Sequence, residues 1–439
     1  MDKVHYKIDK DISVIREADV VVVGSGPGGL GAAVMAARAG AKVLLVERYG
    51  CPGGMASVGE VHPFMPNHQD QVCMDRPVYM EWARRIQDYL PEDLRNEARE
   101  STEITSHLAR SIGKDAAMLA TEDLLMEAGV DLLYHHWLAD VIMDGRKIDT
   151  AIFLSKSGYV GIRGKNFVDC TGDGDLAVKA GCEYEQGNAD GDCQPMTLCF
   201  KLSHINRDAF PEDFGKWLNA RYREAQERGE ISCPRGDVLR FNFYDDDIMH
   251  FNTTRVQLKD ATNGEELSDA EIEGRKQFRE YLAFFRKHVP GFENAQIHSL
   301  AHHIGVRESR RIKGQAYLER KSFTAREKFE DGICRCNYGV DIHSPRGGDT
   351  EHEEIPKSDF YEIPYGCVVA KDVDNLTIGG RPISVDHGLH SSMRVMPPAC
   401  TVGQAAGMGA AMAAARGIAP GELDGKEVRK ALKDMGAYL

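Results

Sequence analysis

The stretch Val20–Ser57, VVVVGSGPGGLGAAVMAARAGAKVLLVERYGCPGGMAS, carries the pattern that decides the fold. Four valines are followed at once by closely spaced glycines, an alanine-rich segment and a second apolar run that ends at Glu47. A β-branched run of this kind is typical of a strand that is buried on both faces of a parallel sheet. The order therefore predicts one βαβ unit, in which a glycine turn joins the first strand to a helix that ends at Gly40.

The glycines of this turn have the spacing of a dinucleotide-binding motif. Gly24 permits the tight turn, Gly26 lets the backbone approach a pyrophosphate, and Gly29 lets the helix pack close to the strand. The positive end of the helix and its free N–H groups then face the phosphates. Glu47 ends the second strand, where a carboxylate accepts hydrogen bonds from ribose hydroxyls and disfavours a 2′-phosphate. The motif predicts a dinucleotide cofactor but does not by itself distinguish NAD from FAD.

Three later segments favour FAD. The glycine pair 53–54 brings backbone near a cofactor that extends further across the sheet. Residues 139–181 predict a three-stranded antiparallel meander with turns at 144–145 and 157–158, then a separate strand NFVDC that ends in TGDGD. Near the C-terminus, the strand NLTI precedes Gly379-Gly380-Arg381, and Gly403 is expected to begin an alanine-rich helix whose dipole faces the flavin.

With these segments in this order, the chain resembles the FAD-binding fold of the glutathione-reductase type. More narrowly, it is similar to a large bacterial family of FAD-dependent oxidoreductases distantly related to fumarate reductase flavoproteins. The segments that carry the resemblance include ERYGCPGGMAS, VDCTGDGDLA, QPMTLCF, IGVRESRRIKG, GVDIHSP, EIPYG and SMRVMPPACTVGQAAG, and they span nearly the whole chain.

This resemblance implies an α/β protein with a Rossmann-like FAD-binding domain, made of the βαβ unit and the meander, and an inserted α+β substrate or cap domain. The expected boundaries are 1–182 and 370–439 for the two parts of the FAD-binding domain and 183–369 for the insert. FAD is expected to be held without a covalent bond.

The resemblance also implies which residues hold FAD. Those expected at the pyrophosphate are Gly24, Ser25, Gly26, Pro27, Gly28 and Gly29. Glu47 and Arg48 are expected at the adenosine ribose, and Leu138 at the adenine. Those expected beside the isoalloxazine or along the cofactor are Gly54, Met55, Ala56, Thr171, Gly172, Asp173, Gly380, Arg381, Gly403 and Gln404.

Candidate residues for chemistry lie mainly in the predicted insert. In AHHIGVRESRRIKG, Arg307 and Arg311 are spaced to share a helical face. A guanidinium binds a carboxylate through two parallel hydrogen bonds, so Arg307 is expected to orient an acidic substrate. The alternative is a salt-bridged structural segment. Arg394 is a second candidate for gripping an anion beside the flavin.

Three histidines are candidates for proton transfer, because imidazole titrates near neutral pH. They are His343 in GVDIHSP, His62 in VGEVHPF and, more weakly, His303. For each the alternative is a structural histidine, which is the commoner role of a lone histidine.

Helix starts in the insert are marked by two capping boxes. Ser268 with Glu271 predicts the start of one helix, which ends before Pro290, and Thr324 with Glu327 predicts the start of another. The segment QPMTLCFKL predicts a strand.

Charge, cysteine content and hydropathy restrict which partners and which cell compartment are expected. The chain has 439 residues and a formal net charge of −14, which argues against a nucleic-acid partner but leaves a local anion site open. Eleven cysteines without a CxxC pair or a Cys/His quartet favour free thiols in a reducing cytosol, no metal site and no thiol–disulfide relay. No signal peptide and no apolar run of about 20 residues is visible, so a cytoplasmic protein without a membrane span is expected.

The sequence therefore predicts a FAD-dependent oxidoreductase that transfers a hydride between flavin N5 and a small polar or anionic organic substrate. One alternative is a flavin-bearing electron-transfer or binding subunit without substrate chemistry of its own. Another is an NAD-dependent dehydrogenase, although no second GxGxxG motif supports a nicotinamide domain. The expected partners are the substrate and an unidentified electron donor or acceptor, with a homodimer as the expected assembly.

Overall fold

The computed structural model describes residues 4–5, 11–70, 72–92, 95 and 112–439. In these ranges the strands are β1 (Val14–Val23), β2 (Val43–Val46), β3 (His68–Gln69), β4 (Val72–Cys73), β5 (Asp131–Leu133), β6 (Trp137–Asp144), β7 (Lys147–Ser155), β8 (Gly158–Asp169), β9 (Tyr184–Gln186), β10 (Phe200–Ser203), β11 (Arg240–Asn242), β12 (Met249–Phe251), β13 (Gln296–Leu300), β14 (Arg310–Ile312), β15 (Gly332–Cys336), β16 (Val340–His343), β17 (Thr350–Glu353), β18 (Tyr361–Pro364) and β19 (Leu376–Ile378). The α-helices are α1 (Pro27–Arg38), α2 (Val78–Asp88), α3 (Lys114–Glu127), α4 (Asp175–Lys179), α5 (Phe214–Glu227), α6 (Gly264–His288), α7 (Arg320–Ala325), α8 (His387–Met393), α9 (Met396–Arg416) and α10 (Gly425–Asp434).

A mixed sheet with the order β5-β2-β1-β8-β7-β6 carries the opening motif. β1 pairs in parallel with both β2 and β8, and β2 pairs in parallel with β5. The predicted βαβ unit is confirmed, with the valines at 20–23 almost completely buried. β1 starts earlier than predicted, at Val14, because its first half already pairs with β8.

The predicted meander is present as β6, β7 and β8, but the prediction of a separate strand after it was wrong. The residues NFVD are the end of β8, a single strand of 12 residues, and Cys170 follows it. The first half of β8 pairs antiparallel with β7, and its last three residues pair in parallel with β19. Gly164 is not a turn residue: a Cβ there would lie 2.9 Å from Cγ2 of Val21, so the glycine allows close strand contact.

α9 begins at Met396, about two turns before the predicted start at Gly403. Pro397 and Pro398 occupy its first turn, where a missing N–H breaks no helical hydrogen bond. Gly403 lies inside the helix and faces α1, since a Cβ there would be 2.0 Å from the carbonyl oxygen of Gly28. The small residues of α9 therefore let two buried helices touch through their backbones.

The cap has its own sheet and apolar core. The antiparallel sheet has the order β11-β12-β10-β13, and aromatic side chains between it and α6 include Phe200, Phe251 and Phe285. The apolar clusters of this region lie within residues 196–306. Apolar residues between 312 and 369 join the main core instead. The domain limits 1–182, 183–369 and 370–439 stay a prediction.

Both capping-box predictions in the insert were wrong. α6 starts four residues before Ser268, because the Asn263 side chain accepts hydrogen bonds from the backbone of Glu265 and Glu266. Thr324 lies in the last turn of α7, where its hydroxyl donates to the Arg320 carbonyl instead of capping a helix.

The segment around Arg307 and Arg311 is not helical, so the expected shared helical face was also wrong. Arg311 lies on β14, which pairs with β9, whereas Arg307 lies in the preceding loop. The backbone of residues 310–312 pairs with β9 and therefore forms no helical hydrogen bonds.

Among the described residues, no helix combines the length and the apolarity that crossing a bilayer requires.

Candidate active site

A cavity of about 600 Å³ extends from the glycine turn to the cap. It gathers most of the residues that the sequence predicted for the cofactor, although these come from five separate segments of the chain. Those that line it are Gly24, Ser25, Gly26, Pro27, Gly28, Glu47, Arg48, Gly54, Met55, Leu138, Thr171, Gly172, Asp173, Gly380 and Arg381. The predicted catalytic residues that line it are His303, Arg307, His343 and Arg394.

The glycine turn presents bare backbone to this cavity. Gly24 has a φ of +97°, and a Cβ there would lie 2.4 Å from the Cys170 carbonyl oxygen at the end of β8. A Cβ on Gly28 would lie 2.8 Å from the Cα of Gly380. Because the first-turn N–H groups of α1 have no carbonyl partner within the helix, they form a cradle for an anion such as a diphosphate.

Glu47 holds this turn in place. One carboxylate oxygen accepts hydrogen bonds from the backbone N–H of Ser25, at 2.9 Å, and from its hydroxyl, at 2.6 Å. The other oxygen accepts a bond from the backbone N–H of Tyr49 at 2.9 Å. The carboxylate lines the cavity and keeps further lone pairs for ribose hydroxyls.

The Arg48 side chain lines the cavity and packs against two aromatic rings. Its guanidinium lies 4.8 Å from the ring centre of Tyr49 and 5.0 Å from that of Trp137. His303 lies 3.4 Å from this guanidinium through Nε2, while its Nδ1 contacts the Ile304 carbonyl at 2.6 Å. Burial and Arg48 lower the pKa of His303. His303 therefore contacts the residue predicted at the ribose.

Asp173 and Arg381 form an ion pair at 2.5 Å, and the Ser309 hydroxyl donates to the same carboxylate oxygen at 2.7 Å. Although burial opposes it, Arg381 holds the pKa of Asp173 below its usual range. The Nε of Arg381 is buried and has no hydrogen-bond partner in the protein. This orphaned donor fits a site that holds an anionic or polar ligand group.

Four residues predicted to touch the cofactor do not line the cavity. Gly29 packs against β1, since a Cβ there would lie 1.9 Å from the Gly24 carbonyl oxygen. Gly403 packs against α1, and Ala56 is buried beneath the turn. Gln404 accepts a bond from the backbone N–H of Val78 and donates to the Arg76 carbonyl. These four residues lie beneath the cavity wall. The three small ones allow close packing, and the Gln404 amide hydrogen-bonds to the backbone.

Arg307 and Arg394 lie on the cavity wall near the Asp341 carboxylate. Arg307 is held by the Pro195 carbonyl and by the Thr197 hydroxyl, at 3.2 Å. Burial and the charge of Arg394 lower the pKa of Arg307 to about 9, so it stays charged at neutral pH.

Arg394 donates to the backbone carbonyl of Asp341 at 3.1 Å and lies 3.4 Å from its carboxylate. The Nε of Arg394 is buried without a partner. Around Asp341, two guanidinium groups face one carboxylate, and this local excess of positive charge suits an anionic ligand. The whole cavity wall carries five arginines and five carboxylates.

His343 lies on the same wall and is almost completely buried. Its Nε2 lies 3.4 Å from the Asp341 carboxylate, and its Nδ1 lies 3.2 Å from the Thr350 hydroxyl. Burial and the charge of Arg307 lower the pKa of His343 to about 3, so the ring is neutral near pH 7. A neutral imidazole beside a carboxylate can accept a proton and pass another on.

His62 is not on the cavity wall. Its ring is fully buried, contacts the Ala56 carbonyl at 2.8 Å through Nε2 and lies beside His250 with 5.6 Å between the ring centres. Burial and Lys201 lower the pKa of His62 to about 3. The neighbouring residues Val61 and Pro63 do line the cavity, so the segment was located correctly but the imidazole faces the interior.

A family model for FAD-dependent oxidoreductases matches residues 19–432. The chain belongs to the FAD-dependent oxidoreductase family. It is therefore an enzyme that uses FAD, as the sequence predicted. No curated protein sequence matches this oxidoreductase.

Several solved structures are similar to the oxidoreductase at low sequence identity. A geranylgeranyl bacteriochlorophyll reductase-like protein from Thermoplasma acidophilum shares 14% identity with a TM-score of 0.49, over 95% of this chain and 84% of that one. The flavin-dependent brominase Bmp2 shares 15% identity with a TM-score of 0.45, over 95% and 83%. The p-nitrophenol 4-monooxygenase PnpA from Pseudomonas putida DLL-E4 shares 12% identity with a TM-score of 0.42, over 96% and 83%.

The cavity of the oxidoreductase fits its cofactor. The backbone cradle at Gly24–Gly28 suits the pyrophosphate, and Glu47 beside Arg48 suits the ribose. The N-terminal end of α9 reaches the cavity through Val395 and Met396. The end of α9 that faces the cavity is therefore at Met396 and not at Gly403.

Sequence reasoning missed several wall residues of the oxidoreductase. The cap contributes Arg235, Asp237, Leu239, Phe241 and Asn252, and the hairpin of β16 and β17 contributes Asp341, Thr350 and His352 beside Tyr338. Only the hairpin residues had a usable signal, because Asp341 with His343 and Thr350 with His352 alternate with the period of a strand. The cap residues are brought to the cavity by tertiary packing and have no pattern of their own.

Proposed function

We propose that this oxidoreductase transfers a hydride between FAD and a small polar or anionic organic substrate that is bound beneath the cap. The observation that carries the proposal is the presence of Arg307 and Arg394 in the same cavity as the glycine turn. The proposed finer relationship, to the glutathione-reductase type of FAD fold and distantly to fumarate reductases, is supported by the βαβ unit joined to an antiparallel meander.

In the proposed orientation, the adenosine lies toward Arg48 and Leu138, and the isoalloxazine lies toward Arg394 and Met396. Bound FAD supplies the two-electron acceptor or donor. In this orientation the pyrophosphate lies against the glycine turn. This orientation leaves the cap-facing part of the cavity for the substrate.

Arg307 and Arg394 hold the anionic group of the substrate. The guanidinium of Arg307 is fixed from behind by Pro195 and Thr197, so little side-chain freedom is lost on binding. Phe64, Leu239 and Phe241 give the same space an apolar wall, which excludes water and contacts the carbon skeleton. The site thus favours a small organic acid over an inorganic anion.

His343 moves the proton that accompanies hydride transfer. When a hydroxyl or amino group is oxidised at its carbon, the proton on oxygen or nitrogen must pass to a base. The neutral ring of His343 lies on the cavity wall beside Arg307. In the reverse direction, the same ring supplies the proton.

The experiment is anaerobic mixing of the FAD-loaded enzyme with lactate, malate, mandelate and glucuronate. The photoreduced enzyme is mixed separately with fumarate and crotonate. A substrate bleaches or restores the flavin absorbance. Bleaching or recolouring by none of these compounds contradicts the proposal.

Arg307→Ala is expected to keep its FAD and to lose at least about 30-fold in the rate of flavin reduction, since removing one partner of a buried charged hydrogen bond costs about 2 kcal/mol or more. The matched control is Arg346→Ala, because Arg346 is 67% exposed and pairs with Asp192 away from the cavity. An unchanged rate in Arg307→Ala contradicts the role given to this arginine.

A further inference from the structure

The hairpin of β16 and β17 presents two cross-strand pairs to the cavity. In its register Asp341 faces His352, and His343 faces Thr350. All four side chains line the cavity, as alternate positions on one face of a hairpin do. On β17 the residues between and after them, Glu351 and Glu353, both form ion pairs with Arg320 at 2.6 Å. The opposite face is thereby anchored.

The polar atoms of these four side chains follow one another from the interior to the solvent. The Thr350 hydroxyl lies 3.2 Å from Nδ1 of His343, whose Nε2 lies 3.4 Å from one oxygen of Asp341. The other oxygen of Asp341 lies 3.5 Å from Nδ1 of His352. The His343 and Asp341 side chains are 10% and 14% exposed, whereas that of His352 is 66% exposed.

We propose that Thr350, His343, Asp341 and His352 form a proton relay between the bound substrate and bulk solvent. The relay rests on the proposed function and adds the route by which its proton leaves or enters. His343 and Thr350 touch the substrate, while Asp341 and His352 act through His343 and are positioning residues.

The proton count of the relay balances in both directions. During substrate oxidation, the carbon loses a hydride to the flavin, and the proton on oxygen or nitrogen passes through the Thr350 hydroxyl to Nδ1 of His343. Nε2 of His343 releases its own proton to the near oxygen of Asp341. The protonated carboxyl then rotates and gives this proton to Nδ1 of His352, whose Nε2 releases a proton to water. One proton enters the relay and one leaves it. Substrate reduction uses the same path in reverse.

The charges around Asp341 explain why the relay conducts the proton and does not store it. Arg394 and Tyr338 both hydrogen-bond its carboxylate, at 3.4 Å and 3.2 Å, and Arg307 lies on the same wall. The Asp341 backbone N–H donates to Ser391 on α8. On the other face of the hairpin, Glu351 and Glu353 neutralise Arg320 in part. Arg255 donates to backbone carbonyls at the hairpin turn. A proton added near two arginines is unfavourable, so it moves on to the exposed histidine.

The test uses His352→Ala and His352→Gln, with His298→Ala as the control. His298 is an exposed histidine on β13 that does not line the cavity. Stopped-flow flavin reduction is followed with a compound from the panel above that bleaches the wild-type enzyme. Dissociation constants for that compound, FAD content and the unfolding midpoint are measured beside it.

Both His352 variants are expected to bind FAD and the compound as the wild type does and to unfold at the same midpoint. Flavin reduction is expected to slow by about 10-fold or more, with a larger solvent isotope effect, because one proton-transfer group is missing. Added imidazole should restore the rate in His352→Ala. His298→Ala should keep the wild-type rate and show no response to imidazole.

A wild-type rate in both His352 variants, or a slow rate that imidazole does not raise, would overturn the relay and leave the proposed function standing. If no compound in the panel bleaches or recolours the flavin, the proposed function and the relay are overturned together.

Discussion

Gly403 lies so close to Gly28 that a Cβ at Gly403 would stand 2.0 Å from the Gly28 carbonyl oxygen. The two glycines join α9 to the first turn of α1, and Gly28 also lines the cavity. The packing of α9 against α1 thus sets the position of the backbone cradle. This relationship leads to a prediction about both stability and FAD binding.

Gly403→Ala is expected to lower the free energy of unfolding by about 1–3 kcal/mol, as overpacking of a close backbone contact does. Because the first turn of α1 must shift, FAD affinity should fall as well. Gly264→Ala, at the start of α6 where a Cβ meets nothing within 4 Å, is the control and should change neither quantity. Urea unfolding and FAD titration measure the two effects. Wild-type stability in Gly403→Ala would show that the helices are further apart than described.

Glu47→Gln should weaken the glycine turn. The carboxylate accepts three hydrogen bonds, two from Ser25 and one from Tyr49, and an amide turns one acceptor into a donor that faces another donor. A buried donor left unpaired costs about 1–3 kcal/mol, which should appear as lower FAD affinity and lower stability. Glu330→Gln, at a side chain that is 78% exposed, is the matched control. Equal FAD dissociation constants for wild type and Glu47→Gln would refute this role.

Features of the fold that neighbouring residues in the sequence specify were predictable, whereas features that depend on tertiary contacts were not. The βαβ unit was predictable because one run of valines, one glycine turn and one terminal acid specify it locally. The start of α9 was not, because the glycines at 403 and 407 resemble a turn motif, whereas in the fold they form a contact with α1. The uninterrupted strand β8 escaped prediction for the same reason, since Gly164 is explained by its approach to Val21 on a neighbouring strand.

For the site, the sequence indicated several residues of the cavity wall, but it did not indicate side-chain directions or the pairing of strands. Arg307, His343 and Arg394 were singled out by residue type, and the fold places all three on one cavity wall. His62 was expected at the site but does not line the cavity, because the direction of a side chain after a turn depends on tertiary packing. Asp341 and His352 were missed because their role depends on the register between β16 and β17.

Asp75 should make stability depend on pH. Its carboxyl is buried with the Thr401 hydroxyl and the Asn67 amide as partners, and burial raises its pKa to about 7. The folded protein therefore keeps a proton that the unfolded chain releases, so this stabilisation is present in full below about pH 4 and is lost as the pH rises to 7.

Asp75→Asn has no such proton to lose. Its stability relative to the wild type should increase between pH 4 and pH 7, by up to about 4 kcal/mol over that range, and level off above pH 7. Chemical unfolding at several pH values measures the difference. A difference that does not change with pH would contradict the buried, protonated state of Asp75.

His343 should stay neutral across the working range of the enzyme. Burial and Arg307 lower its pKa to about 3, so its ring resonance in NMR spectra of histidine-labelled enzyme should not move between pH 5 and pH 8. His343→Gln identifies the resonance by its absence. A titration with a midpoint inside that range would show that the ring is already charged before the substrate arrives.

A crystal structure of the FAD-loaded enzyme tests the central claim most directly. We predict that the pyrophosphate lies against Gly24–Gly28, the adenosine lies toward Arg48 and Leu138, and the flavin ring lies toward Arg394 and Met396 beneath the cap. A flavin ring that lies at the Arg48 end, or outside the cavity that Arg307 and His343 share, would contradict the account.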